Sequence, residues 1–170
     1  LRGSSIQEEV DGRKVTRVRR IQNRPASRRA IQITHRDGSK ESVDYDMFLA
    51  TGHLEHNPYI RMGDRLHVGF RKKSLYLFGA VNQEGKYEFR EGDTIGHLIT
   101  LAKGARVDAP IQRVELWRFD PGTEISRKIV LGDNDVTGQE FLLDDISDTP
   151  LQPNDMVFIR ARSLWQQMPT

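Results

Sequence analysis

The chain has 170 residues, 36% hydrophobic and 29% charged, with 26 Lys and Arg against 24 Asp and Glu. That composition suits one ordinary domain or two small ones with a polar surface, and no apolar run approaches the roughly 20 residues a membrane-spanning helix needs. Cysteine is absent, which excludes disulfides, cysteine-ligated metals and a thiol nucleophile.

The opening Leu1-Arg2-Gly3-Ser4-Ser5 has no initiator Met and no apolar leader, so the sequence reads as a piece of a longer protein. From Arg13 to Arg36 there are nine basic residues and no acid. Val15, Val18, Ile21, Ile31 and Ile33 interleave with the arginines, the pattern of strands that present arginines outward. Such a stretch is either a solvated face or a patch for an acidic saccharide or protein partner. Nucleic acid is disfavoured, because no aromatic ring lies among these residues to stack on bases. Gln22–Arg29, with Pro25 inside it, reads as a basic insert. Asp46–Thr51 fits one helical turn. His53-Leu54-Glu55-His56 offers two imidazoles and a carboxylate, but Gly52 and Asn57-Pro58 flank it. No helix then holds the three on one face as a zinc protease requires, and the segment reads as a turn. A strand follows, Leu66, Val68 and Phe70 alternating with His67 and Gly69; His35 and His67 are expected to point outward from strands.

Leu75–Val81 and Lys86–Phe89 are expected to form a hairpin about Asn82–Gly85. Thr94–Lys103 is the convincing helix: Ile95, Leu98, Ile99 and Ala102 make one apolar stripe, and Asp93 suits its N-cap. Strands are expected at Val114–Phe119, Ile125–Leu131 and Met156–Arg160, with a helical turn at Phe141–Asp145. Asp133, Asp135, Thr137 and Asp144, with Gly138, have the spacing of a calcium loop. Glu140 stands where an apolar residue is usual, and Asp144 reaches less far than Glu, so an ordinary polar loop is the favoured reading and no metal is assigned. Tyr76, Tyr87, Trp117 and Trp165 read as rings that either stack on sugars or pack against a neighbouring module, and Trp117 fits either face of its strand. The serines lie in no G-x-S-x-G elbow, no glycine-rich loop opens a helix, and Asp144-Asp145 sit in a polar loop. No catalytic constellation emerges, so neither enzymatic activity nor a cofactor is expected.

The chain also echoes itself. Residues 59–70 (YIRMGDRLHVGF) and 150–161 (PLQPNDMVFIRA) share one pattern, with Asp64 matching Asp155. Lys14–Arg20 matches Arg113–Arg118, and Ala30–Thr34 takes the place of Glu124–Val130. This predicts a partial unit at 1–71 that holds only later strands, a complete unit at 73–162, and at 163–170 the entry to a further one.

Gly79-Ala80-Val81, Gly85, Tyr87, Thr94, Ala102, Gly104 and Val114-Glu115-Leu116-Trp117-Arg118 follow one another as apolar strand, turn, Thr-led helix, glycine stop and strand. In these residues the chain resembles the SLBB (soluble ligand-binding β-grasp) modules of the bacterial polysaccharide-export outer-membrane protein family, with Glu84 where Pro is usual and Lys103 where a first stop glycine is usual. The resemblance implies an α+β fold of tandem β-grasp (ubiquitin-like) modules, each a mixed sheet covered by one short helix, the first incomplete. It implies a non-enzymatic periplasmic module, in a parent associated with the outer membrane, that forms subunit contacts and part of a conduit for capsule or exopolysaccharide. The partners it implies are the polysaccharide, further copies in a homo-oligomeric ring, and an inner-membrane polysaccharide co-polymerase. Contacts to saccharide or partner are expected at Arg17, Arg19, Arg28, Arg29, Tyr76, Tyr87 and Trp117. The alternative is a β-grasp module outside export that binds a small ligand, a corrinoid or a saccharide.

Overall fold

The computed structural model describes residues 4–10, 13–19, 25–120, 122–133 and 142–162, the first two segments by backbone alone. The fold is mixed α+β. β1 (Ser4–Val10) and β2 (Arg13–Arg19) pair antiparallel as a hairpin of their own. β3 (Ala26–Thr34), β4 (Lys40–Val43) and β5 (Arg65–Phe70) form an antiparallel sheet in the order β4-β3-β5. Between β4 and β5 run α1 (Tyr45–Thr51) and a single 3-10 turn, Leu54–His56. The second half contributes β6 (Ser74–Gly79), β7 (Gly85–Glu88), α2 (Ile95–Leu101), β8 (Ile111–Asp120), β9 (Ile125–Asp133) and β10 (Met156–Ala161). Its five strands run in the order β7-β6-β10-β8-β9, all neighbours antiparallel except β6 and β10, which are parallel.

The hydrophobic core lies beneath α2. Leu75, Leu77, Val114, Leu116, Val157 and Ile159 point from the sheet towards Ile95, Leu98 and Ala102 of the helix segment, and all are fully buried. Each such aliphatic side chain contributes about 1.5–3 kcal/mol on leaving water. Gly79 ends β6 at φ 101, and a Cβ there would sit 2.0 Å from the Ile159 carbonyl oxygen. Glycine therefore allows β6 to close against β10. α2 begins one residue later than Asp93 would dictate. Thr94 is the N-cap, exchanging bonds with His97, because the Asp93 carboxylate is engaged elsewhere.

The two sheets repeat one register. Thr34 lies opposite Arg65 and Ile33 opposite Leu66, as Trp117 lies opposite Met156 and Leu116 opposite Val157. Gly63 and Asn154, both left-handed at φ 93 and 70, precede Asp64 and Asp155. Each aspartate accepts the backbone N–H of the residue three before it, Arg61 or Gln152, and each holds a side chain from the neighbouring strand end, His35 or Arg118. This equivalence aligns β3 with β8 and β4 with β9. The matches of Lys14–Arg20 to Arg113–Arg118 and of Ala30–Thr34 to Glu124–Val130 are thereby corrected, since Ala30–Thr34 holds the place of Arg113–Trp117 and Lys14–Arg19 pairs with β1 instead. A two-residue alternation marks a strand without naming its neighbour, so successive basic strands are interchangeable by pattern alone.

Candidate binding face

The residues expected to make contacts fall in four places. Arg29 is the first correction. It was expected to face outward, yet only 2% of its side chain is exposed. Its guanidinium donates to both oxygens of Asp44 and of Asp93 and to the Glu88 backbone carbonyl, at 2.7–3.1 Å. Burial opposes the charge, but the bonds to Asp93 and Asp44 outweigh it and hold the Arg29 pKa above its ordinary value. Asp44 is likewise held below the usual carboxylate range, Arg29 and the Met47 N–H overcoming its desolvation. Arg29 belongs to the three-stranded sheet and Asp93 to the loop before α2, so this cluster is the joint between the two halves. Ser27 adds a second tie, donating to Glu88, which also accepts the Arg28 N–H.

Arg28 points the opposite way, as strand alternation requires. It is half-exposed, pairs with Asp46 at 2.9 Å and lies over the Tyr45 ring. A groove of about 490 Å³ opens beside it, with Arg71, Lys86 and Lys103 as further cations. Tyr87 also lines it, but its place differs from expectation. It pairs with Leu75 on the helix-covered side of the sheet, packs against the core, and donates its hydroxyl to the Gln83 carbonyl. Burial pushes its pKa up.

Tyr76 and Trp117 come together on the opposite face of the five-stranded sheet. The register runs Lys86–Tyr76–Met156–Trp117–Lys128, one residue from each strand in a row. The Lys86 ammonium lies 5.7 Å from the Tyr76 ring centre and Lys128 6.0 Å from that of Trp117, within reach of a cation–π attraction. Beside this row Phe78 and Phe158 stack at 5.3 Å, and Arg160 covers Phe158. All four rings are half-buried. Sequence reasoning missed Phe78 and Phe158, although their alternation with Leu77, Val157 and Ile159 was the available signal.

Glu115 organises the cations of this face. Its carboxylate is 2% exposed and contacts Arg113, Arg160 and Lys128 at 3.0, 3.1 and 3.8 Å. Desolvation works against its charge, but Arg160, the Trp117 N–H and Lys128 draw its pKa below the ordinary value. Arg17 and Arg19 occupy alternate positions of β2, opposite Ile6 and Ser4.

Of the calcium-loop residues, Asp133 ends β9 with Arg113 at 3.4 Å, and Asp144 lies in a 3-10 turn, Leu143–Ile146; Asp135 and Thr137, like Trp165, lie outside the described residues. His67 is exposed as expected. His35 is corrected: it is buried at the end of β3 between Asp64 (2.9 Å) and Glu41 (3.3 Å), and the Asp64 bond, more than Glu41, raises its pKa against the cost of burial. No protein-family model matches the chain, and no curated protein matches it in sequence.

Proposed function

We propose that this chain is a pair of SLBB-type β-grasp units from a bacterial polysaccharide-export protein, one complete and one partial. They act without chemistry, in the periplasm, as subunit contacts and as wall of a conduit for capsule or exopolysaccharide. The observation that carries this reading is the strand order of the second half. A hairpin (β6, β7) leads into one covering helix, and the last strand, β10, inserts between β6 and β8, parallel to β6. A hairpin, one covering helix and a mixed sheet are what the resemblance implies for a β-grasp module, and this arrangement supplies them. The repeated register of β3 on β5 supports a second copy of its later strands.

The half-buried rings and the lysines of the face opposite α2 suit a polymer of acidic sugars. Ring faces meet the apolar C–H faces of pyranoses, and ammonium heads meet carboxylates. A conduit gains from contacts that are weak and many, because a tight site would stall transit. In such a protein further copies complete a ring, and a co-polymerase in the inner membrane is the upstream partner.

Affinity electrophoresis through gels carrying a uronic-acid polysaccharide tests the reading. The chain is expected to be retarded in that gel and not in one carrying neutral dextran. Trp117→Ala and Tyr76→Ala should each lower the retardation with the fold intact by circular dichroism. Calorimetry that finds one tight stoichiometric oligosaccharide site, or no retardation by any acidic polymer, defeats it.

A further inference from the structure

We propose that His53, Glu55 and His56 form a binding site for a zinc-class divalent ion. The side chains that sequence spacing leaves on a turn are brought together by the way that turn folds. Gly52 ends α1 by donating its N–H to the Phe48 carbonyl, and the chain then winds once through Leu54–His56. His56 N–H bonds to the His53 carbonyl and Asn57 N–H to that of Leu54, at 3.2 and 2.9 Å. A third bond, from the Asp44 N–H to the His56 carbonyl at 2.9 Å, pins the turn to the start of α1. The tight winding places both imidazoles on the carboxylate side. His56 Nε2 is 3.4 Å and His53 Nδ1 3.9 Å from Glu55 Oε1. The rings lie nearly parallel, 20° apart in tilt with centres at 6.4 Å, and all three donor atoms fall within 4.8 Å of one another.

A tetrahedral zinc with bonds of about 2.0–2.1 Å holds its ligand atoms roughly 3.3 Å apart. The His56–Glu55 separation already meets that distance. The His53–Glu55 pair needs about half an ångström of closure, and the two imidazole nitrogens, within 4.8 Å of each other, need at most about 1.5 Å, which the exposed His53 and Glu55 side chains supply by rotation. Two imidazole nitrogens and one carboxylate select zinc, nickel or copper over calcium and magnesium, which take oxygen ligands. Three protein donors leave one position open to water. Because Asp44 both anchors this turn and holds Arg29, a bound ion also stiffens the residue on which the joint depends. The site is independent of any saccharide role.

Isothermal titration of the chain with zinc chloride, in a buffer that does not chelate, is the test. One ion per chain is expected, with low-micromolar affinity and reversal by EDTA. His53→Ala and His56→Ala should each weaken binding at least about tenfold, the least that losing even a supporting group costs at a metal centre. His67→Ala, on an exposed strand position elsewhere, should leave it unchanged. Zinc should also raise the melting temperature of the parent chain, and not that of the His53→Ala/His56→Ala double variant. Amide shifts confined to residues 52–57 and to Asp44, whose N–H bonds to the His56 carbonyl, support the assignment. Absence of heat, or a double variant that binds as tightly as the parent, overturns it.

Discussion

Ile33 and Leu116 hold the same place in two sheets of the same register, and both are fully buried. One strand over, the sheets part company. Val157 and Ile159 of β10 are 0% and 1% exposed, whereas their counterparts Leu66 and Val68 of β5 keep 51% and 47%. The residue types are alike, so the difference lies in what covers them. β10 has β6 along its second edge and α2 above it. Among the described residues no strand pairs with the second edge of β5. An alternating apolar strand therefore shows where a core belongs, and only neighbouring elements close it. An open edge with an apolar face is also a template for pairing with another chain.

The sharpest way to break this comparison is at the joint. Arg29→Ala leaves Asp44 and Asp93 buried without their common cation, and a loss of about 3–5 kcal/mol is expected. Urea unfolding followed by both circular dichroism and tryptophan fluorescence measures it. A loss below about 1 kcal/mol would mean that the cluster is effectively a surface pair. Next comes the paired truncation of equivalent positions. Ile159→Ala should cost about 2–5 kcal/mol, and Val68→Ala less than about 1 kcal/mol. Equal losses would show that another chain covers β5 in solution.

The smallest effect expected is one of pH. His35 and Arg118 fill the same slot against Asp64 and Asp155, but only the imidazole titrates near neutrality. The folded-state pKa of His35 is raised, first by Asp64 and then by Glu41. Its contribution is therefore fully present below the unfolded value of about 6.5, and is lost as pH rises through the higher folded value. Hydrogen exchange of the β3 and β5 amides should quicken across that window once intrinsic rates are corrected, while β8 and β10 hold steady. Uniform change in both sheets would refute the distinction.

Much of this fold was legible from pattern. The hairpin, the helix at Thr94, three later strands and the Asp64–Asp155 echo all rest on local periodicity and turn chemistry, which a window of ten residues contains. Arg29 and His35 were misjudged, although both share strand parity with Ile31 and Ile33. Their partners explain the error. Asp44 lies 15 residues away from Arg29 and Asp93 lies 64 away, and nothing local pairs them. Charge led the reading where parity was the better guide. The ring-and-lysine row was half visible: Tyr76 and Trp117 stood out, but lining them up across five strands requires the order of strands, which no single segment encodes.

Glu115 sets the thermodynamic character of the face above it. Long cationic side chains ordinarily surrender rotamer freedom when an anion captures them, at about 0.5–1.5 kcal/mol apiece. Here a sunken carboxylate already draws Arg113, Lys128 and Arg160 inward, so much of that ordering precedes any encounter. The same tether neutralises part of their field. Any anion that meets this face therefore loses less in ordering its hosts and feels a weaker pull from them, the two effects offsetting each other.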